Sequence, residues 1–351
     1  MSFRWGVLGA GPVARKFVLD LREIDASATV VASRTPERAQ RFAAELNVQS
    51  AARSYEDAIS YDVDAFYIAT PPSEHASLAL QCIAAGKPVL IEKPFAMNAD
   101  QALEVISAAR RASVFCMEAM WTRFLPLIQR LKSAVDQGAV GEVRLISGSF
   151  GNVTASEKSP NIYSKELGGG ALLHRGIYPL SLASYILGAP TSVASKALIG
   201  ASGVDEDTSV TASHANGGVS VSYSSLRVQA PNDLTIMGTT GLIEVGAPLY
   251  RPFQMKIRPA RSSGDGGGRF EALKEGGFMQ GANQRLVGIS KTIRGGKAKH
   301  VRAFYRGNGY SYEAEEVMRC VARGHLESDV MPLAETLALA GAMDAARGQW
   351  A

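Results

Sequence analysis

The chain has 351 residues, of which 46% are apolar and 20% charged, with a formal net charge of +4. That charge is too small to argue for a nucleic-acid partner, and no apolar run approaches the roughly 18 residues of a membrane span. Cys82, Cys116 and Cys320 lie far apart and follow no metal-ligand or CxxC spacing. They suit a reducing compartment, and with no charged-then-apolar leader at the start the expectation is a cytoplasmic protein without a metal.

Residues 1–118 alternate as strand and helix. The first strand, 4–8, runs into glycines, and a helix follows over 12–24. A second strand at 28–35 precedes a helix at 36–47 that Pro36 opens, where a missing N–H costs nothing. A third strand at 63–72 leads to a helix at 73–86, a fourth at 88–94 to a helix at 99–112, and a fifth follows at 113–119. Strict alternation predicts a parallel sheet covered on both faces.

The pattern then changes. A helix is expected over 121–138, a strand over 141–153 and a glycine-started helix over 167–188. Alternating strands follow at 191–199, 208–215, 218–226, 232–239 and 241–246, which predicts a mostly antiparallel sheet. In the strand "VSVSYS" the apolar residues Val219, Val221 and Tyr223 are expected to pack on the helices. Its serines are expected to meet solvent or a partner subunit. The glycine-rich, basic stretch 262–300 reads as a surface excursion, a solvated loop rather than a nucleic-acid site. Helices at 311–324 and 332–347 end the chain. The fold class is therefore α/β, with a Rossmann-type domain over 1–118 and a second α/β domain with a large open sheet over 119–351.

Gly9-Ala10-Gly11-Pro12-Val13-Ala14 form a G-x-G-x-x-A between the first strand and first helix. Gly9 permits the tight turn, Gly11 lets backbone approach a pyrophosphate, and Ala14 lets helix and strand pack closely. Pro12 and Val13 complete that loop at the helix N-terminus. NAD sites usually carry a carboxylate at the end of the second strand. Here stand Ser33, Arg34 and Thr35, with Arg38 one turn further on. Arginine attracts a 2′-phosphate that a carboxylate would repel, so NADP is the expected cofactor, with NAD the alternative.

Thr70, Pro71, Pro72 and His75 sit at the C-terminal end of the third strand, and Glu92-Lys93-Pro94 at the end of the fourth. In an open parallel sheet such strand ends form the ligand crevice, so both groups are expected to face the cofactor. Lys93, partly desolvated there, should have a lowered pKa and could help move a substrate proton. A cis bond before Pro94 would aim it into the site. His174 and Tyr178 are four apart and share a helix face. With Lys93 opposite they would make an acid/base cluster. A core tyrosine and a surface histidine are the structural alternative, which for His174 stays open.

Taken together, "GVLGAGPVA", "IATPPSEH", "GKPVLIEKPF", "EAMWTRFLP", "GGGALLHRGIYP" and "MGTTGLIEV" resemble the Gfo/Idh/MocA oxidoreductase family, in the family's order and along essentially the whole chain. The resemblance is strongest to the branch of dimeric dihydrodiol and NADP-dependent sugar dehydrogenases. It implies that Lys93 assists catalysis and that Tyr178 is the acid/base. It also implies substrate contacts at Trp121 of "EAMWTRF", Arg144 and Phe150, and a homodimer or homotetramer formed through the open sheet; Arg123 and His174 are further candidate substrate contacts. That branch usually carries aspartate where this chain has His174, which leaves the substrate open. The leading expectation is hydride transfer to or from a sugar, polyol or cyclic diol. The alternatives are a glycosidase or lyase that uses tightly held NAD for transient oxidation, and a non-catalytic nucleotide sensor.

Overall fold

The computed structural model describes residues 2–157, 159–260 and 298–350. Six parallel strands, β1 (Phe3–Leu8), β2 (Ala26–Ala32), β3 (Ser50–Ala51), β4 (Ala65–Ile68), β5 (Val89–Glu92) and β6 (Cys116–Ala119), form one sheet in the order β3-β2-β1-β4-β5-β6. Their residues are apolar on both faces because helices cover both. Trp5, Val7, Tyr67, Leu90 and Met117 pack with α1 (Pro12–Asp20) and with the second half of the chain. Leu8, Phe66, Ile68 and Ile91 pack with α4 (Pro72–Ala84) and α5 (Ala99–Ala112). The strand order reverses between β1 and β4, and there the loops after the strands part to leave a crevice.

Two elements of this half carry no periodic signal in the sequence. β3 has two residues, and α3 (Tyr55–Ile59) has five and is capped by Ser54 Oγ, which accepts from Asp57 N–H. The helix α2 (Pro36–Leu46) starts at Pro36 as expected.

The second sheet has eight strands: β7 (Val143–Gly151), β8 (Pro190–Ile199), β9 (Asp205–His214), β10 (Val219–Ser225), β11 (Leu234–Gly238), β12 (Gly241–Val245), β13 (Gln254–Pro259) and β14 (Lys299–Arg302). Their order is β14-β13-β12-β11-β7-β10-β9-β8, and only the β7–β10 pair is parallel. Of the expected 262–300 excursion, Lys299 and His300 belong to β14, and residues 262–297 lie outside the described residues. The expected helix over 121–138 is divided. Trp121–Phe124 form a 3₁₀ turn, Leu125 is extended, and α6 (Pro126–Asp136) begins at Pro126. Proline disfavours a helical conformation in the residue before it, so the helix cannot run through Leu125.

The two halves are locked by buried polar contacts. The Asp20 carboxylate, at the end of α1, accepts from Asn308 N and Nδ2 and from Tyr310 N, just before α8 (Ser311–Ala322). The last helix, α9 (Leu333–Arg347), packs on both α5 and β8. Its Asp344 accepts from Ala99 N at 2.7 Å, and its Arg347 donates to Met97 O at 2.6 Å.

One expectation is reversed. In β10 the serines Ser220, Ser222 and Ser224 are buried, whereas Val221 and Tyr223 are 39% and 44% exposed. The reason is space. The helical turn Leu172–Gly176 and α7 (Ile177–Leu187) lie directly on β10, and a Cβ at Gly176 would come within 3.1 Å of Ser224 Oγ. Small residues are needed beneath that helix, so the serines face inward and the larger apolar residues face out.

Candidate active site

The loops after β1, β2, β4 and β5 meet at the crevice. Gly9 has φ +116°, and a Cβ there would lie 2.4 Å from Ala69 O, so only glycine makes this turn. Gly11, immediately before α1, opens onto free space, as a residue must where a pyrophosphate approaches backbone N–H groups. Pro12 and Val13 follow at the start of α1. At the end of β2, Ser33 is buried and Arg34 and Arg38 are exposed. Arg38 Nε donates to Ala10 O at 3.1 Å, and Arg34 Nη1 lies 3.9 Å from a Glu74 carboxylate oxygen. Pro71 and Pro72 lead into α4, and the buried Thr70 Oγ1 beside them has no protein partner among the described residues. An open glycine, an orphaned hydroxyl and two exposed arginines along one edge fit a dinucleotide cofactor.

Two residues expected at the cofactor serve the loops instead. His75 is buried, with its ring nitrogens 2.8 Å from Pro94 O and 2.9 Å from Thr70 O. It clamps the two strand-end loops together. Burial pushes its imidazolium down, and a neutral ring donates to only one of those carbonyls. Glu92 is turned inward, accepting from Tyr67 Oη at 2.5 Å and from Lys93 N at 3.1 Å.

Lys93 lies between the halves, and the Lys93–Pro94 bond is cis. Its Nζ donates to His174 O at 3.3 Å and sits 5.2 Å from the centre of the Tyr178 ring. Burial lowers its pKa, Glu92 and Glu118 oppose this, and Arg175 adds to it. The approach needs Gly168, at φ +83°, where a Cβ would come 2.6 Å from Met97 Sδ and 2.8 Å from Pro72. Leu172–Gly176 form a π-helical turn, a form that recurs at functional sites. His174, in that turn, faces Gly168 O through Nε2 at 3.1 Å. A carbonyl only accepts, so Nε2 carries the proton and Nδ1 is left as an acceptor. Burial, then the Lys93 charge, push the His174 pKa down to about 3. The ring is therefore neutral at pH 7.

Tyr178 is buried, and Trp121 Nε1–H donates to its Oη at 3.2 Å. An indole can only donate, so the phenol keeps its own proton for another acceptor. Burial, then Glu92, hold the phenol well above its ordinary pKa, and the indole hydrogen bond opposes them. Trp121 stacks on Tyr310 at 4.7 Å. Phe150 lies edge-on to Tyr178 at 5.4 Å and stacks on Tyr250 at 5.1 Å. Beneath this aromatic wall the Glu118 carboxyl is pushed up to about 7 by burial. The fully buried Glu313 is held well above the carboxylate range, by burial first and then by Glu92 and Asp20.

Two other expected substrate residues do not face this cluster. Arg123 is fully buried and spends all five N–H donors: on Glu335 through both oxygens at 2.8 Å, on Ser181 Oγ and O, and on Val330 O. It ties the turn after β6 to α7 and α9 and has no donor left for a ligand. Arg144 is exposed at the start of β7, paired with Glu142 at 2.7 Å, with the rest of the strand between it and Phe150. The sequence reading missed Arg175, Glu118 and Tyr250. Arg175 had a signal, a charge inside the otherwise apolar run that follows His174. Tyr250 sits in a loop with no pattern.

A family model for oxidoreductases with an NAD-binding Rossmann fold matches residues 3–120, and the corresponding C-terminal domain model matches 128–244. The chain belongs to the Gfo/Idh/MocA family of oxidoreductases. A trans-1,2-dihydrobenzene-1,2-diol dehydrogenase from Xenopus tropicalis is 32% identical, over 99% of this chain and 98% of that one. The human protein of that name is 30% identical, over 99% and 96%. Among solved structures, a 3-ketoreductase from Actinomadura kijaniata with NADP and TDP-benzene superposes with a TM-score of 0.81 at 22% identity, over 100% and 98% of the two chains. A levoglucosan dehydrogenase with NADH and levoglucosan gives 0.82 at 18%, over 99% and 97%. As an enzyme of this family the chain takes a nicotinamide dinucleotide, and the loops after β1, β2 and β4 hold the residues suited to it.

The Trp121–Tyr178 hydrogen bond sets a pH prediction. With Tyr178 as the expected base of alcohol oxidation, activity should rise with pH. Trp121→Phe keeps the ring stack but removes the donor, worth about 1 kcal/mol, and should move the rising limb of kcat/KM up by about one pH unit. An unmoved limb would show that the indole does not tune the phenol.

Proposed function

We propose that the chain is an NADP(H)-dependent oxidoreductase acting on a carbinol or carbonyl carbon of a sugar, polyol or cyclic diol, with Lys93 and Tyr178 as its acid/base pair. The observation that carries this reading is the apposition of Lys93 Nζ and the Tyr178 ring, with the phenol proton left free by Trp121. The bound cofactor supplies the hydride acceptor or donor. Tyr178 takes the hydroxyl proton as the C–H hydride departs, or returns it in reduction. Lys93 stabilises the charge on the substrate oxygen, and an amine of lowered pKa can also pass a proton on. His174 Nδ1 accepts from a neighbouring substrate hydroxyl. The names of the relatives, which act on diols and sugars, agree with this class. The buried, free thiols of Cys82, Cys116 and Cys320 suit a reducing, cytoplasmic setting.

The choice of NADP rests on Arg34 and Arg38, both exposed just beyond the end of β2, where Ser33, Arg34 and Thr35 stand in place of a carboxylate. The partner we assign is a second copy of the chain, laid on the outer face of the eight-stranded sheet. Among the described residues no helix covers the exposed Val221, Tyr223 and Leu198 there, and small Ser and Thr side chains of β9 flatten the surface between them.

Lys93→Met should lower kcat by at least about two decades, measured by NADP⁺ reduction over a polyol and aldose panel, and full activity would remove Lys93 from the chemistry. Arg34→Ala should raise KM for NADPH about tenfold and leave KM for NADH nearly unchanged. An equal effect on both would reject a 2′-phosphate contact. Tyr223→Arg should turn a sedimenting dimer or tetramer into a smaller species, and a monomeric wild-type protein would rule the sheet interface out.

A further inference from the structure

Arg175 is a buried cation without a counter-ion among the described residues. Its side chain lies at 7% exposure on the turn that carries His174. Nη1 donates to Asn152 O at 2.5 Å and to Ser225 O, and Nη2 donates to Thr154 Oγ1. All three acceptors are neutral. Among the described residues no carboxylate lies within ion-pair distance of it, and Nε has no acceptor. The other buried arginine, Arg123, shows what a satisfied guanidinium looks like here, with Glu335 on two of its nitrogens. A buried unpaired charge costs several kcal/mol, so its retention points to a negative group that arrives with a ligand.

The location identifies that ligand. The Arg175 guanidinium lies 5.9 Å from the Phe150 ring, and Phe150 is in turn the edge neighbour of Tyr178. One aromatic ring therefore separates the cation from the phenol. Its field reaches the site, since Arg175 depresses the pKa of both Lys93 and His174. The carboxylates near Lys93, Glu92 and Glu118, are buried on the other side and bond into the first half. We infer that the substrate is a sugar acid, whose carboxylate binds Arg175 through Nε and Nη2 while a hydroxyl of the same molecule meets Tyr178 and Lys93. A planar carboxylate accepts from both nitrogens on one edge of a guanidinium, and with a single ring between cation and phenol we place the charge on the sugar itself. This rests on the oxidoreductase reading. The carboxylate is unchanged in the reaction: one carbinol carbon loses hydride to the cofactor and its hydroxyl loses a proton to Tyr178.

The test pairs acids with their neutral parents: glucuronate with glucose, galacturonate with galactose, and glucose 6-phosphate as a phosphate arm. With wild-type protein, kcat/KM for at least one acid should exceed that of its parent by about 30-fold or more. In Arg175→Leu that ratio should collapse towards one, mainly through KM, and Arg175→Lys should restore part of it. Acids no better than their parents, a ratio preserved in Arg175→Leu, or a preference for the phosphate would each overturn the inference. Turnover of neutral sugars alone would defeat it and leave the oxidoreductase reading intact. Binding of the same pairs, followed by quenching of tryptophan fluorescence, reads the preference without turnover. No tighter binding of the acids would overturn the inference even if the panel contains no substrate.

Discussion

The active site depends on one contact between the two halves of the chain, the Lys93 ammonium held by His174 O and set over the face of Tyr178. The first half positions the amine at the end of a parallel strand, and the second half positions the phenol on a helix. Neither half brings both groups together without the other. A desolvated cation near an aromatic face and a helix carbonyl is worth about 2 kcal/mol, too little to hold two domains in place. The locks at Asp20, Asp344 and Arg347, together with a continuous apolar core, must therefore fix the geometry that this contact uses.

Much of the surrounding structure makes that approach possible or supports it from below. Gly168 lets the glycine-rich segment close on Pro72 and Met97. The buried serines of β10 let the helix carrying His174 and Tyr178 lie flat on the sheet. Glu92, Tyr67, Glu118 and Glu313 place ionisable groups beneath the site where water does not reach. Burial raises their pKa values together and keeps their negative charge small. That leaves Lys93 and Arg175 to dominate the local field, an arrangement suited to stabilising oxyanion character.

The sequence was most legible where local rules act alone. The alternation of strands and helices, the glycine turn before α1, the proline start of α2, and Lys93 at the end of β5 all follow from short-range pattern. The misreadings share a physical cause. Arg123, Arg144, His75 and Glu92 are polar residues next to motif residues, and adjacency in the chain does not say which way a side chain turns. Arg123 and Glu335 are more than two hundred positions apart, so nothing local reveals that they satisfy each other. The serine face of β10 was misread because polarity stood in for size.

By itself the sequence determined the two-sheet architecture and the dinucleotide crevice, because each is written in spacing within a few residues or in periodicity along one element. Only the tertiary structure decided which polar residues are spent as struts and, among the described residues, which face of the open sheet is bare and that Arg175 meets no anion. Those are outcomes of long-range pairing, in which a donor's partner is chosen by packing and not by its neighbours in the chain.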